Sequence, residues 1–168
     1  MKAARNQWSL VAALVVMVLP GCDADDAGPF IGDADYVRDP ALDVELVSAN
    51  GDARSHNVGD NCMACHQARG PGPGRFTAAG TMYDADGAPH IDGALELRDG
   101  GGQLVLRVEA DSNGNFYTTE PLPLPDMPLF PTVLSSDGKR SRSMPFPTRS
   151  AACNVCHVGR QAISLPEG

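Results

Sequence analysis

A change of hydrophobic pattern separates the middle of this chain from its two ends. Between residues 76 and 146, apolar and polar positions alternate in short runs, and turns rich in Asp, Asn and Gly separate the runs. The clearest run covers residues 103–109. Its apolar members Leu104, Leu106 and Val108 are predicted to face inward, because alternation places every second side chain on one face of a strand.

Several such runs predict a mainly β domain. The predicted strands cover residues 76–83, 94–98, 103–109, 116–117 and 132–134, followed by a turn at 137–138 and a short return strand. Short strands at this spacing with Asp-Gly and Asn-Gly turns predict a small β-sandwich. The proline-rich stretch 121–131 is predicted to be extended and irregular. Residues 36–47 are compatible with either a short extended segment or a helix.

The N-terminus carries the pattern of an export signal. Lys2 and Arg5 precede an apolar run from residue 10 to residue 19, and Gly21 stands directly before Cys22. The run is too short for a comfortable transmembrane helix. The arrangement resembles a bacterial lipoprotein signal, which implies that Cys22 is lipidated and becomes the mature N-terminus. An ordinary secretory peptide with a coincidental cysteine, or an uncleaved anchor, is the alternative.

Four of the five cysteines form two copies of one motif. The copies are Cys62-Met63-Ala64-Cys65-His66 and Cys153-Asn154-Val155-Cys156-His157. The spacing Cys-x-x-Cys-His is typical of covalent attachment of haem c, with two thioether bonds and the histidine as proximal iron ligand. We therefore predict two covalently bound haem c groups. Cysteine pairs also bind zinc, but the histidine in both copies and the predicted export favour haem.

The sixth ligands of two haem irons are predicted from the remaining histidines. His56 lies six residues before Cys62, a gap that is short for folding back over its own haem, so we expect it to reach the other one. His90 lies in a turn region, where a surface histidine is the simplest interpretation. Met144, nine residues before Cys153, is the competing ligand. Two histidines would give low reduction potentials, and a methionine would raise one of them.

These motifs divide the chain into five predicted segments. Residues 1–21 are the lipoprotein signal, and residues 22–40 an acidic flexible linker with six aspartates between 23 and 39. Residues 41–75 and 147–168 are haem-binding segments, irregular in structure, and residues 76–146 form the sandwich between them.

The middle segment resembles a known family of β-domains. Residues 79–89, 93–97 and 111–116 are similar to the carboxypeptidase regulatory-like, or transthyretin-like, β-sandwich family. The resemblance covers under half of the chain and implies a transthyretin- or Ig-like fold without catalytic residues. The whole arrangement resembles secreted di-haem c-type cytochromes of environmental bacteria. The helical periodicity of a globular class I cytochrome c is not present around either motif.

The net charge of the chain restricts the classes of partner that we expect. The formal net charge of −8 becomes −10 once residues 1–21, with Lys2 and Arg5 and no acid, are removed. This argues against nucleic acid and against electrostatic binding to anionic lipid. It suits a redox partner with a basic docking face, although solubility alone explains it equally well.

The predicted function is electron transfer in the cell envelope. In a lipid-anchored carrier, on the inner or the outer membrane, the haem irons change oxidation state and no substrate is transformed. A di-haem enzyme, peroxidase-like or acting on sulfur compounds, would need an open iron and an acid–base group beside it, and the sequence has no obvious group of this kind. A haem-free metal-binding or adhesion module is the third alternative.

We expect Cys22 to anchor the protein through its lipid. Cys22→Ser should release the protein from the membrane fraction or leave its precursor uncut, because the serine hydroxyl cannot form the thioether bond. Fractionation followed by intact-mass measurement tests this. If Cys22→Ser partitions and is processed like the wild type, the lipoprotein interpretation is wrong.

Overall fold

The computed structural model describes residues 36–167, except for the side chain of Arg160. The predicted signal, Cys22 and the linker up to residue 35 lie outside the described residues. Within residues 36–167, no helix has the length and apolar character needed to cross a membrane.

The described residues contain eight strands and four single-turn 3-10 helices. The strands are β1 (Ala78–Tyr83), β2 (Ala94–Arg98), β3 (Leu104–Glu109), β4 (Asn115–Thr118), β5 (Phe130–Leu134), β6 (Ser141–Ser143), β7 (Ala151–Ala152) and β8 (Ile163–Ser164). The helices are η1 (Pro40–Leu42), η2 (Cys62–Ala64), η3 (Cys153–Val155) and η4 (Gly159–Gln161). This confirms the prediction of a mainly β protein, and residues 36–47 contain one helical turn.

The first sheet is built around β1. Strand β4 pairs with it in antiparallel orientation, and β7 and β8 pair with it in parallel orientation at its beginning and its end. The motif that begins at Cys153 lies between β7 and β8. The C-terminal segment, predicted as irregular, therefore also contributes two short strands to the sheet.

The second sheet is antiparallel throughout, in the order β3-β2-β5-β6. Leu106 and Val108 of β3 are buried as predicted. Leu104 is 42% exposed, so its predicted inward position is wrong. The register between β2 and β3 shifts at the end of β2, and the resulting irregularity leaves Leu104 outside the core.

The two sheets share one hydrophobic core, as in a β-sandwich. Met82 and Phe116 from the first sheet and Leu95, Leu97 and Val108 from the second belong to one buried cluster. Since burial of apolar area provides the main free energy of folding, this cluster holds the two sheets together.

Gly80, in the centre of β1, allows the second motif to approach the core. A Cβ atom at this position would lie 2.5 Å from the Phe116 ring and 2.9 Å from the Cβ atom of Cys153. No real Cβ atom tolerates such separations, so a side chain at residue 80 would displace the ring or the motif.

The segment that carries the first motif covers the outer face of the first sheet. Phe76, Ala79 and Tyr117 form a second buried cluster there, with Cys62 and Met63 packed against it. Both motifs therefore rest on β1, the first on its outer face and the second along its edge.

Candidate functional site

Both Cys-x-x-Cys-His motifs adopt the same backbone turn. Each begins with a single turn of 3-10 helix, η2 or η3. The N–H groups of Cys65 and His66 donate to the carbonyl oxygen of Cys62 at 3.2 and 3.0 Å. The equivalent bonds from Cys156 and His157 to the carbonyl oxygen of Cys153 have the same two lengths. The similarity of the two motifs therefore extends from sequence to conformation.

Both motif histidines are held through the same ring nitrogen. Nδ1 of His66 lies 2.7 Å from the carbonyl oxygen of Pro73, and Nδ1 of His157 lies 2.9 Å from that of Gln161. Because a carbonyl oxygen only accepts, Nδ1 carries the proton in each hydrogen bond. The neutral ring then keeps its lone pair on Nε2, which is the arrangement that fixes a histidine for binding metal.

Burial favours the uncharged forms of three motif side chains, those of His66, Cys62 and Cys153. It lowers the pKa of His66, although the Pro73 carbonyl acts in the opposite direction, so the neutral ring is favoured. Burial also raises the pKa of the Cys62 thiol. It raises the pKa of Cys153 to about 12, with a smaller contribution from the nearby Cys62 thiol. The first cysteine of each motif is therefore held as a thiol, and the two cysteines lie near each other.

Arg38 holds the loop that positions the Pro73 carbonyl. Its side chain is 5% exposed and forms an ion pair with Asp43 at 2.8 Å. Its guanidinium group also donates to four main-chain carbonyl oxygens, those of Leu42, Gly70, Gly72 and Gly74. The loop 70–74 thus folds around one buried cation, which satisfies carbonyl groups that would otherwise lack partners.

The glycines of this loop leave room for the histidine. A Cβ atom at Gly72 would lie 2.8 Å from the imidazole ring of His66. The N–H group of Gly72 donates to the carbonyl oxygen of Cys65 at 3.0 Å. The loop therefore lies directly against the motif, and only a residue without a side chain fits at position 72.

A cavity of about 220 Å³ opens beside the first motif. His66 forms one wall, with its ring stacked on Phe76 at a centroid distance of 4.1 Å. Cys62, Cys65, Tyr117 and His56 contribute to the rest of the lining. The cavity is mostly apolar and has two imidazole rings in its lining, which suits a flat, largely apolar ligand that contains a metal.

His56 lies beside His66, its own motif histidine. The two ring centroids are 6.1 Å apart. The short gap between His56 and Cys62 suffices because the chain reverses within it, at Asn57 and Gly59, which both have positive φ angles. The expectation that His56 would reach the other motif is therefore not what the structure shows.

A buried hydrogen-bond network joins the two motifs. Oδ1 of Asn154, inside the second motif, accepts from the main-chain N–H of Thr81 at 3.1 Å. Its Nδ2 group donates to the carbonyl oxygen of Asp60, two residues before Cys62, at 2.8 Å. The Thr81 hydroxyl accepts from the N–H of Gly59 at 2.9 Å. Neither motif can therefore shift on β1 without affecting the other.

The structure does not bring the other two predicted ligands to a motif in the same way. His90 is 6% exposed, and its Nδ1 lies 3.0 Å from a carboxylate oxygen of Asp84. Its Nε2 atom is enclosed without a hydrogen-bond partner. Met144 is half-buried at the end of β6, where its N–H donates to the carbonyl oxygen of Pro131.

Sequence reasoning missed Arg38, Asn154 and Thr81. Arg38 falls inside the predicted flexible linker, and the only available signal is that it is the one cation among that segment's aspartates. Asn154 occupies a variable position of the motif, and Thr81 an ordinary strand position. Local sequence gives no signal for either, because their roles depend on contacts between residues far apart in the chain.

Comparisons with known proteins give no relative. No protein-family model, curated protein or solved structure matches this chain.

Removing the Arg38 guanidinium should loosen the loop 70–74. Arg38→Met should lower the free energy of unfolding by about 3–5 kcal/mol, because Asp43 and several carbonyl groups lose a buried partner. The matched control is Arg75→Met, since Arg75 also pairs with Asp43 but is half exposed; its cost should stay below about 1 kcal/mol. Urea unfolding measures both.

Amide hydrogen exchange measures the local effect of Arg38→Met on the loop 70–74. The N–H of Gly72 should exchange faster in Arg38→Met than in Arg75→Met, because the loop no longer lies against Cys65. Equal unfolding free energies and equal exchange in the two variants would contradict the role of Arg38.

Proposed function

We propose that this chain is a di-haem c-type cytochrome that carries electrons in the cell envelope. The observation that supports it best is the repetition of one site. Each Cys-x-x-Cys-His motif has the same turn, and each motif histidine donates through Nδ1 to a main-chain carbonyl oxygen and keeps Nε2 for a metal. One motif could have this geometry for reasons of packing, whereas two independent copies favour a shared ligand.

The residues around the first motif fit a haem. Cys62 and Cys65 would hold it through thioether bonds, His66 would bind the iron, and the Pro73 carbonyl would fix the orientation of the His66 ring. The mostly apolar cavity of about 220 Å³ beside these residues is smaller than a porphyrin, so it would receive one part of the ring and leave the rest at its open side. At the second motif, Cys153, Cys156 and His157 would have the same roles. Haem supplies an iron that alternates between the ferric and ferrous states.

His56 is the proposed sixth ligand of the first iron. The ring centroids of His56 and His66 are 6.1 Å apart, so both rings would lie within reach of one iron held at the first motif. For the second iron, His90 and Met144 remain the alternatives, although His90 would first have to leave Asp84.

The burial of two motif thiols is compatible with haem attachment. Zinc binding and disulfide exchange both use the thiolate, which a lowered pKa favours. Here burial raises the pKa of Cys62 and of Cys153. A thiol that becomes a thioether does not need to ionise in the mature protein, so haem attachment is compatible with this burial.

Two structural features favour a carrier over a di-haem enzyme. If His56 binds the first iron, that iron has no open position for a substrate. The polar groups Asn115 and Ser55, which line the cavity, also hydrogen-bond to each other and so offer less to a substrate. In this proposal, the sandwich is a transthyretin-like mount for the two haems, and the lipid on Cys22 holds the protein at the inner or outer membrane.

Covalent haem at both motifs is the first test. Mass spectrometry of denatured mature protein should show two haem additions. Cys62→Ala/Cys65→Ala and Cys153→Ala/Cys156→Ala should each remove one addition and leave the other, and a pyridine haemochrome spectrum should report the same ratio. A wild-type mass with four free thiols, or with one disulfide per motif, would refute the proposal.

The spin state of the first haem tests the role of His56. In His56→Ala, electron paramagnetic resonance of the oxidised protein should show one haem changed from low-spin to high-spin, because one axial ligand is lost. Arg54→Ala is the matched control, since Arg54 lines the same cavity and cannot bind iron. If both haems stay low-spin in His56→Ala, the ligand assignment is wrong. A high-spin haem in the wild type would favour the di-haem enzyme.

A further inference from the structure

We infer that the edge of the protein around the second motif is a docking surface for an acidic redox protein. The inference rests on the proposed function, because it assigns an electron donor or acceptor to the second haem site. Arg142 and Arg149 provide the charge of this surface, and Phe146, Val155 and Val158 provide its apolar area. We call these five residues the docking edge.

Charge is distributed unevenly along the chain. Residues 22–137 contain 20 acidic and 6 basic residues, whereas residues 138–168 contain 1 acidic and 5 basic residues. The formal charges of these two parts are therefore −14 and +4. The negative net charge of the whole protein conceals a positive C-terminal part, which is the part that carries the second motif.

The C-terminal part forms one continuous side of the sandwich. Strand β6 is the last strand of the second sheet, and β7 and β8 lie along β1 in the first. Arg142 of β6 donates to the hydroxyl group of Ser164 of β8 at 3.0 Å. This contact joins the two sheets at the side where the second motif lies.

Only part of the positive charge on this side is neutralised. Arg140 pairs with Asp84 at 3.1 Å, and Lys139 with Asp137 at 3.4 Å. Arg142 and Arg149 are exposed, and among the described residues their recorded hydrogen bonds go to neutral oxygens, those of Ser164 and Pro125. Two full positive charges therefore face solvent beside the second motif.

The same side exposes apolar residues. Phe146 is 60% exposed, Val155 58% and Val158 54%. Val155 lies inside the second motif, and Val158 directly follows His157. Exposed aromatic and aliphatic side chains on the same side as two exposed arginines have the composition of a protein–protein interface, where apolar contacts provide area and arginine provides specific polar contacts.

The positive charge of the docking edge predicts a partner with an acidic face. Charges separated by more than about 10 Å are largely screened at 0.1 M ionic strength, so a docked protein senses the nearby arginines more than the distant acids. An acidic face on the partner complements Arg142 and Arg149 and speeds association. This is opposite to the basic docking face that the net charge alone predicts.

Electron transfer from a reduced plant-type ferredoxin, an acidic one-electron donor, tests the inference. One electron leaves the reduced [2Fe–2S] cluster and reduces one ferric haem iron. Stopped-flow absorbance should give a second-order rate constant that falls about threefold when the ionic strength is raised from about 100 to about 500 mM, a range in which the distant acids are already screened. In Arg142→Gln/Arg149→Gln, the rate constant at about 100 mM should fall about fivefold or more.

A matched control separates local charge from net charge. Gln103→Glu/Ser112→Glu also changes the net charge by −2, but at exposed turn positions on the β3 side of the sandwich. Its rate constant should stay within about twofold of the wild-type value, because those positions lie far from the docking edge. Equal losses in the two double variants, or a wild-type rate constant that rises with salt, would overturn the inference.

Two further measurements complete the test. Amide chemical shifts at residues 142, 149, 155 and 158 should change when ferredoxin is added, and absence of these changes would overturn the inference even in a protein that lacks haem. A missing haem spectrum would instead refute the proposed function. Cosedimentation with vesicles rich in anionic lipid that is lost in Arg142→Gln/Arg149→Gln would assign the edge to a membrane and also overturn the inference.

Discussion

The hydrogen bonds between Thr81 and Asn154 determine how the two motifs are placed. Thr81 lies in β1, and its main-chain N–H points to the edge where β7 and β8 leave a gap. The side chain of Asn154 fills this gap as a neighbouring strand would, and its other end reaches the Asp60 carbonyl before the first motif. Thr81 and Asn154 are both buried, so removing the amide would leave the Thr81 N–H without a partner at a cost of about 1–3 kcal/mol.

The loop beside His66, residues 70–74, is held by hydrogen bonds from a buried cation and not by pairing with a strand. Residues 70–74 have no sheet partner, and their carbonyl groups need donors. The guanidinium group of Arg38 provides several donors in one plane, and Asp43 compensates its charge. A lysine could not replace it, because its donors radiate from one point and would not reach separate carbonyl groups. The orientation of the His66 ring therefore depends on a residue 28 positions earlier in the chain.

The sequence predicted what depends on local pattern and missed what depends on distant contacts. The alternation of apolar residues predicted the strands β1, β2, β3 and β5, and motif spacing indicated the six cysteine and histidine residues of the site. The position of Leu104 was predicted wrongly because strand alternation does not reveal a shift of register. The placement of His56 beside His66 required knowledge of the reversal at Asn57 and Gly59. Asn154 and Arg38 became visible only when their partners were known.

The parallel pairing of β8 with β1 has a consequence for the order of folding. Met82 pairs with Ile163, 81 residues later, so the first sheet is incomplete until that later segment is available. Closing a loop of this length costs conformational entropy before any contact compensates for it, which delays the closure. During that interval Cys153 is not yet packed against Gly80, so its thiol group stays accessible to solvent. The topology thus places the burial of the second motif among the late steps of folding.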